Sequence, residues 1–413
     1  MIRLAIIGCG GMGQRHLAGL IETEQVGINR FDLVGACDPV SDNAQELASL
    51  AQKHFDEPPV VASNLHELTR LVDVDAVDIT APPQHHHTLA IDALQRACNV
   101  MVEKPLGLTV RACKQIWTAL QTSDCVLSVA ENYRRDPINR LAKALLQEGA
   151  IGVPRLLAQT SVGGGDDMVI TVWRHNKATG GVLLDVGVHF ADIIEYFLGE
   201  VESVYAQTRL YEHIRRNTVS GGPAGVYTKW QNAMPATFEA TAEDAVYATL
   251  QFKSGVVGQY ALDHAGHGER VWQRMIFGSQ GSLKLPRDRS GQPITLTRDG
   301  EAPISNEDIL NVVPDFRLDP VTTTLFGEER LWRYNLSFPE IDRKIIAIEF
   351  DDYARAIHRV NAPEVEAYNG MRSVALSYAL LESGTLGRVV TVDEVLSGLD
   401  TYQHEIDVNA RLL

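Results

Sequence analysis

Over the first 130 positions the apolar residues fall in short unbroken runs, at residues 4–7, 33–37, 76–79, 100–102 and 126–130. Continuous, partly β-branched runs of this length are the signature of parallel strands covered on both faces. Between them the period changes to that of helices, for example at residues 90–97 and 110–120. Strand and helix in regular alternation predict an α/β domain built on a doubly wound parallel sheet.

Beyond about residue 150 the pattern becomes two-fold. Val246, Ala248, Leu250 and Phe252 alternate with Tyr247, Thr249 and Gln251, and Lys253-Ser254-Gly255 then turns the chain into a second run at residues 256–262. That is a hairpin with one buried face. Residues 270–277 pass through Gly278-Ser279-Gln280-Gly281 into residues 282–285 in the same way. The second domain is therefore expected to be α+β, with a large, mainly antiparallel open sheet. Residues 286–345 show no clear period and read as a long excursion, after which helical patterns return at residues 345–360 and 370–383. The expected division is a first domain at 1–130 and a second at 131–413, the latter carrying the excursion and a closing helix at about 370–384. At 413 residues the chain is too long for one ordinary core. A sheet whose open face mixes polar and aromatic residues is expected to find a partner, as a homodimer or homotetramer formed through the second domain.

Composition narrows the function more than the fold. A hydrophobic content of 45% with 22% charged residues is ordinary for a globular chain. A net charge of −16 argues against nucleic acid and anionic membrane surfaces, which need a basic footprint. No apolar run reaches the length of a membrane span, and the chain opens directly on a strand without a basic leader, so a cytoplasmic protein is expected. Cys9, Cys37, Cys98, Cys113 and Cys125 form no C-x-x-C pair. They fit neither a disulfide framework nor a zinc site.

The chemistry begins at Gly8-Cys9-Gly10-Gly11-Met12-Gly13, a G-x-G-x-x-G set between the first strand and the first helix, with an acid, Asp38, closing the second strand. The first glycine permits the tight turn, the second lets backbone approach a pyrophosphate, and the third lets helix and strand pack closely. The phosphates then meet the N–H groups and positive dipole of the helix start. Asp38 is expected at the adenosine ribose, and no cation follows it before Lys53, which favours NAD over NADP. Capping of the following helix is the other use of that carboxylate.

Two further groups stand out. Glu103-Lys104-Pro105 follows the fifth strand, on the side where ligands of open α/β sheets sit. A lysine there can polarise a hydroxyl or carbonyl oxygen, although an ordinary lysine at a turn is a surface lysine. Asp185 and His189 lie four apart after Gly180-Gly181 and would share one face of a helix. An acid/base pair and a structural histidine remain equally open there. His85-His86-His87 cannot all face one centre and have no supporting cluster, so no metal site is expected.

These motifs, with Pro82-Pro83 and His86, Asn132-Tyr133-Arg134 and Trp173-Arg174, occur in the order seen in the Gfo/Idh/MocA oxidoreductases, which the chain resembles. The resemblance is close over residues 1–210 and looser through Gly278–Ser282 and Gly370 to Arg388. It implies a Rossmann domain followed by an open-sheet domain that binds sugar or cyclitol. It also implies a catalytic set of Lys104, Asp185 and His189. Cofactor contacts would come from Gly8, Gly10, Gly11, Met12, Gly13, Asp38, Ala81, Pro82, His86, Glu103 and Lys104. Substrate contacts would come from Tyr133, Arg134, Trp173, Arg174, Asp185 and His189. Thr179 stands where many members have a third glycine, and the excursion makes the chain longer than a typical member. The implied activity is NAD-dependent oxidation of a CH–OH group in a sugar, sugar acid or cyclitol. A redox-neutral enzyme using transient oxidation to process glycosides, and a non-catalytic sensor of the same fold, are the alternatives.

Overall fold

A computed structural model describes residues 1–55, 57–219 and 227–412. The chain forms two compact units, Met1–Asn132 with Pro339–Met371, and Tyr133–Phe338 with Arg372–Leu413.

In the first unit the apolar runs become strands β1 (Ile2–Ile7), β2 (Phe31–Cys37), β3 (Val60–Ala62), β4 (Ala76–Ile79), β5 (Asn99–Glu103) and β6 (Leu127–Ala130). They lie in the order β3-β2-β1-β4-β5-β6, every pair parallel. Helices Gly11–Gln25, Ser41–Ala51, His86–Gln95 and Val110–Gln121 make the crossovers. The strand order reverses between β1 and β4, which is where a doubly wound sheet opens a crevice at its carboxyl ends. Two loops meet at that point. Thr80 donates from Oγ1 to the Gly8 carbonyl at 2.6 Å, and a Cβ on Gly8 would lie 2.5 Å from the Ala81 nitrogen.

The division by compactness differs from the single cut expected near residue 130. Helix Phe338–Ile357 departs from the second domain's stretch of sequence, and its residues from Pro339 onward cluster with the first unit. Phe350 and Tyr353 of that helix pack against Phe31, with ring centroids 5.6 and 5.7 Å apart. Ile346 fills the space left by Gly19, whose Cβ would lie 2.4 Å from it. Burying two such aromatic side chains contributes on the order of 4 kcal/mol, and Arg15–Asp342 and Lys344–Glu22 ion pairs flank the contact. Helical period shows that a face is apolar. It does not show which sheet that face covers.

The second unit carries β7 (Pro154–Val162), β8 (Val201–Arg209), β9 (Ile214–Arg216), β10 (Thr237–Glu239), β11 (Ala245–Phe252), β12 (Val257–Asp263), β13 (Val271–Gly278), β14 (Gly281–Leu285), β15 (Thr295–Arg298) and β16 (Val390–Thr391). Eight of them form a sheet in the order β15-β14-β13-β7-β12-β11-β8-β16, antiparallel except where β7 runs beside β12. Strands β9 and β10 pair separately. Helix Gly187–Leu198 covers one face, where Phe190 meets Tyr260 and Trp272. Helix Ala367–Leu386 approaches β8 closely enough that a Cβ on Gly384 would lie 2.4 Å from Thr208. The excursion supplies β15, a 3-10 turn at Glu307–Val312 and helix Pro320–Phe326. Among the described residues no helix is long and apolar enough to cross a membrane.

Candidate active site

The glycine loop has the shape its spacing predicts. Gly8 has φ +98, a left-handed backbone that favours glycine. A Cβ on Gly13 would lie 2.3 Å from the Gly8 carbonyl, so the third glycine is required for loop and helix to touch. Gly10 is different, because a Cβ there would meet nothing within 4 Å. It borders open space at the start of helix Gly11–Gln25, whose N-terminus has no side-chain cap. Unfilled space beside uncapped N–H groups is a cradle for a pyrophosphate, and the residues present fit a dinucleotide.

Asp38 closes this cradle on the side of β2. Its Oδ2 accepts the Cys9 N–H at 2.8 Å and its Oδ1 accepts the Val40 N–H at 2.8 Å. Helix Ser41–Ala51 takes no side-chain cap, so the carboxylate braces the glycine loop and does not cap that helix. Met12 lies beside Arg15, whose fork holds Asp342.

Two of the expected cofactor contacts have buried side chains with protein partners. His86, expected to wall the cofactor pocket, is fully buried. Its Nδ1 lies 2.7 Å from the Pro105 carbonyl and its Nε2 lies 2.8 Å from the Ala81 carbonyl. It packs between the loop after β4, where Ala81 and Pro82 lie, and the loop after β5, donating its single N–H to one of the two carbonyls. Burial pushes its pKa below the ordinary histidine value. Glu103 is likewise turned inward, to His16 Nε2 at 3.2 Å. Position along the strand places a residue at the rim, but strand pleat decides which way it faces.

His16 itself escaped the sequence reading. Its Nδ1 lies 2.9 Å from Asp78 on β4, and all three groups are buried. Burial opposes charge on the imidazole, but Asp78 and Glu103 outweigh it and hold the His16 pKa well above its ordinary value. Burial also raises the Asp78 pKa, whereas for Glu103 burial is outweighed by His16 together with Lys104 and Arg15, and its pKa is lowered. The available signal was Asp78 itself, a carboxylate inside an apolar strand, which needs a buried partner. Lys104 follows Glu103 directly, and the Lys104–Pro105 peptide is cis.

The second unit holds all six substrate candidates. Asp185 and His189 do not share one helix. Asp185 ends helix Gly181–Asp185, Val186 intervenes, and His189 lies in the first turn of helix Gly187–Leu198. Gly180 and Gly181 have φ +100 and +71, and a Cβ on Gly181 would lie 2.6 Å from that of Ala242. Thr179, in place of a third glycine, donates its hydroxyl to the Trp173 carbonyl at 2.6 Å and ties the two motifs together. Arg174 donates from Nε to Asp185 Oδ2 at 2.7 Å and from Nη1 to Thr171 Oγ1 at 2.6 Å, with its guanidinium over Trp173. Tyr133 stacks on His189, ring centroids 4.4 Å apart and planes 8° from parallel. Arg134, expected to read substrate, presents its fork to Asp192 at 2.6 Å on both arms.

Burial lowers the pKa of His175 to about 3 and that of His264 to about 4, with the Arg215 charge adding to both shifts. Both stay neutral near pH 7. His85 is exposed while His86 and His87 are buried, and among the described residues no cluster of His, Cys, Asp and Glu could hold a metal ion.

Comparison with known proteins places this geometry in context. Residues 2–131 match the model of an oxidoreductase family with an NAD-binding Rossmann fold, and residues 139–284 match the GFO/IDH/MocA C-terminal domain. Levoglucosan dehydrogenase of Pseudarthrobacter phenanthrenivorans is 29% identical over 224 residues, covering 52% of this chain and 56% of that protein. Myo-inositol 2-dehydrogenase of Thermotoga maritima is 24% identical over 405 residues, covering 96% of this chain and 100% of that one. A solved structure of levoglucosan dehydrogenase with NADH and L-sorbose shares the fold, with TM-score 0.74 and 22% identity, covering 96% of this chain and 100% of that one.

Proposed function

Because the chain belongs to the Gfo/Idh/MocA oxidoreductase family, we propose that it is an NAD-dependent dehydrogenase acting on a hydroxyl-bearing carbon of a sugar, sugar acid or cyclitol. One observation carries this reading. The glycine loop and Lys104 stand at the carboxyl ends of β1 and β5, strands separated only by β4 in one parallel sheet. Strand spacing sets those ends roughly 10 Å apart, a span suited to an extended dinucleotide.

When bound, the nicotinamide supplies the hydride acceptor. Lys104 holds the substrate oxygen and offsets its growing negative charge. His189 takes the hydroxyl proton as general base, its ring plane set by Tyr133. Asp185 orients the substrate through a second hydroxyl while Arg174 keeps the carboxylate in place. The acidic net charge and the relatives' small polyhydroxylated substrates support a small-molecule substrate over a macromolecular one.

The test is turnover with a panel of hexoses, hexose acids, inositols and glycosides, followed by absorbance of reduced nicotinamide. Lys104→Ala and His189→Asn should each lower kcat by about a hundredfold or more, with little change in NADH affinity. Unimpaired turnover in both variants overturns the assignment. Sugar release without net reduction would identify the redox-neutral chemistry instead.

A further inference from the structure

The excursion begins with a loop, residues 286–291, that is fastened within the second unit at several points. Asp288 takes the Arg274 fork at 2.6 and 3.0 Å and the Asn139 amide at 2.8 Å. Arg274 and Asp288 have side chains 0% and 3% exposed, so this is an internal anchor. Arg287 lies over the Trp272 ring, 5.6 Å from its centroid. Gly291 has φ +66 and lies against Tyr334, whose carbonyl would be 2.2 Å from a Cβ at that position. Tyr334 in turn donates its hydroxyl to the buried Asp136 carboxylate at 3.1 Å.

Arg289 sits at the centre of this loop in a backbone conformation that arginine rarely adopts, φ +60. A left-handed backbone is unfavourable for a non-glycine residue, so something must hold it there. The other oxygen of Asp136 does so, accepting the Arg289 N–H at 2.6 Å. The guanidinium is thereby delivered over Tyr133, 5.3 Å from the ring centroid, and over Phe338 at 5.1 Å. Tyr133 is the ring stacked on His189, with Phe190 edge-on at 6.5 Å. A cation held over an aromatic face is attracted by the ring quadrupole.

We propose that Arg289 is a positioning residue for the reaction, acting through Tyr133 to fix the plane of the His189 imidazole, and that the excursion serves this site as its brace. The proposal rests on His189 being the general base. An imidazole abstracts a proton only along its ring plane, so a ring free to tilt loses productive encounters without losing substrate. Tyr133 meets both the Arg289 cation and the His189 imidazole, and the strained backbone at Arg289 is the point where the excursion locks them.

A double-mutant cycle decides it. Arg289→Ala should lower kcat about tenfold, with KM for substrate and NADH affinity changed less than about twofold. In a Tyr133→Leu background the same change should have almost no further effect, because the path from Arg289 to His189 is already cut. Losses that multiply, or an undiminished kcat in Arg289→Ala, overturn the proposal. If Arg289→Ala does not fold, Arg289→Met keeps the stem and removes the cation, and is judged by the same two outcomes. His189→Asn is measured alongside. Wild-type turnover there would remove the general-base reading itself, whereas a dead His189→Asn with an unaffected Arg289→Ala rejects the brace alone.

Discussion

Arg174 donates to Asp185 across 2.7 Å with both side chains less than a tenth exposed, and Thr171 takes a second arm of the same guanidinium. The expected substrate-reading arginine is therefore the partner that keeps the Asp185 carboxylate in place. Breaking one half of a buried pair leaves the other uncompensated, which costs about 3–5 kcal/mol. Arg174→Leu should lower the urea midpoint accordingly and reduce kcat/KM. Arg174→Lys should restore little of either, since one ammonium cannot reproduce two directed bonds. Recovery to wild-type stability by lysine would mean that charge alone matters at this position.

Cofactor choice is expected to depend on Asp38. Its carboxylate is fixed by the Cys9 and Val40 N–H groups, with Pro39 and then Asp42 following and no cation nearby in sequence. A 2′-phosphate beside it meets like charge, an effect of about a hundredfold in favour of NAD. Combining Asp38→Ser with Pro39→Arg should narrow or reverse that ratio in kcat/KM. The serine also forfeits the brace on Cys9, so NAD efficiency should fall in the same variant. Equal efficiency with both cofactors in the unmodified enzyme would place Asp38 away from the ribose.

His16 should govern alkaline stability. Its folded pKa is raised well above the ordinary value while its unfolded pKa stays near 6.5. A raised base contributes stability that is complete below the unfolded pKa and is lost as pH climbs through the folded one. From about pH 6.5 upward this group progressively lowers the unfolding free energy. His16→Gln should be less stable than wild type at pH 6, and the difference should shrink as pH rises to 9 in chemical denaturation. A gap that stays constant with pH would show that His16 is neutral in the folded protein.

The open sheet face points to self-association. Register places Val257, Leu156 and Phe277 side by side across β12, β7 and β13, and Val257 and Phe277 are 38% and 36% exposed. Tyr205, Thr249, Gln259, Ala158 and Met275 form the next row. Light scattering should give a dimer or tetramer mass at micromolar concentration, and Phe277→Lys should shift it toward monomer. A monomeric wild type at that concentration contradicts this reading.

Much of the first unit was legible because its signals are local. The runs at residues 4–7, 33–37, 76–79 and 100–102 each became a strand within a residue or two. The glycine loop needed only its own spacing. The hairpin of β11 and β12 was equally plain, since alternation and a Gly turn specify both sidedness and reversal. Strands β7 and β8 were not singled out, although β7 lies at the sheet's centre. Its alternation is blunted by Gln159 and Ser161, and the buried Gln159 carbonyl accepts from Arg274 on β13.

The sequence alone determined which backbones must bend and which residue types carry chemistry. Glycines at 8, 13, 180 and 181 stand where close contact or a left-handed backbone admits little else, and Lys104, Asp185 and His189 are reactive types in a recognisable order. Direction was left to the tertiary structure. Whether Glu103 faces a ligand or His16, whether Arg134 reads substrate or Asp192, and which sheet Phe350 covers all depend on residues tens to hundreds of positions away. Local sterics act between neighbours in the chain and can be read along it. Burial and charge pairing act between neighbours in space, and only the folded chain says which residues those are.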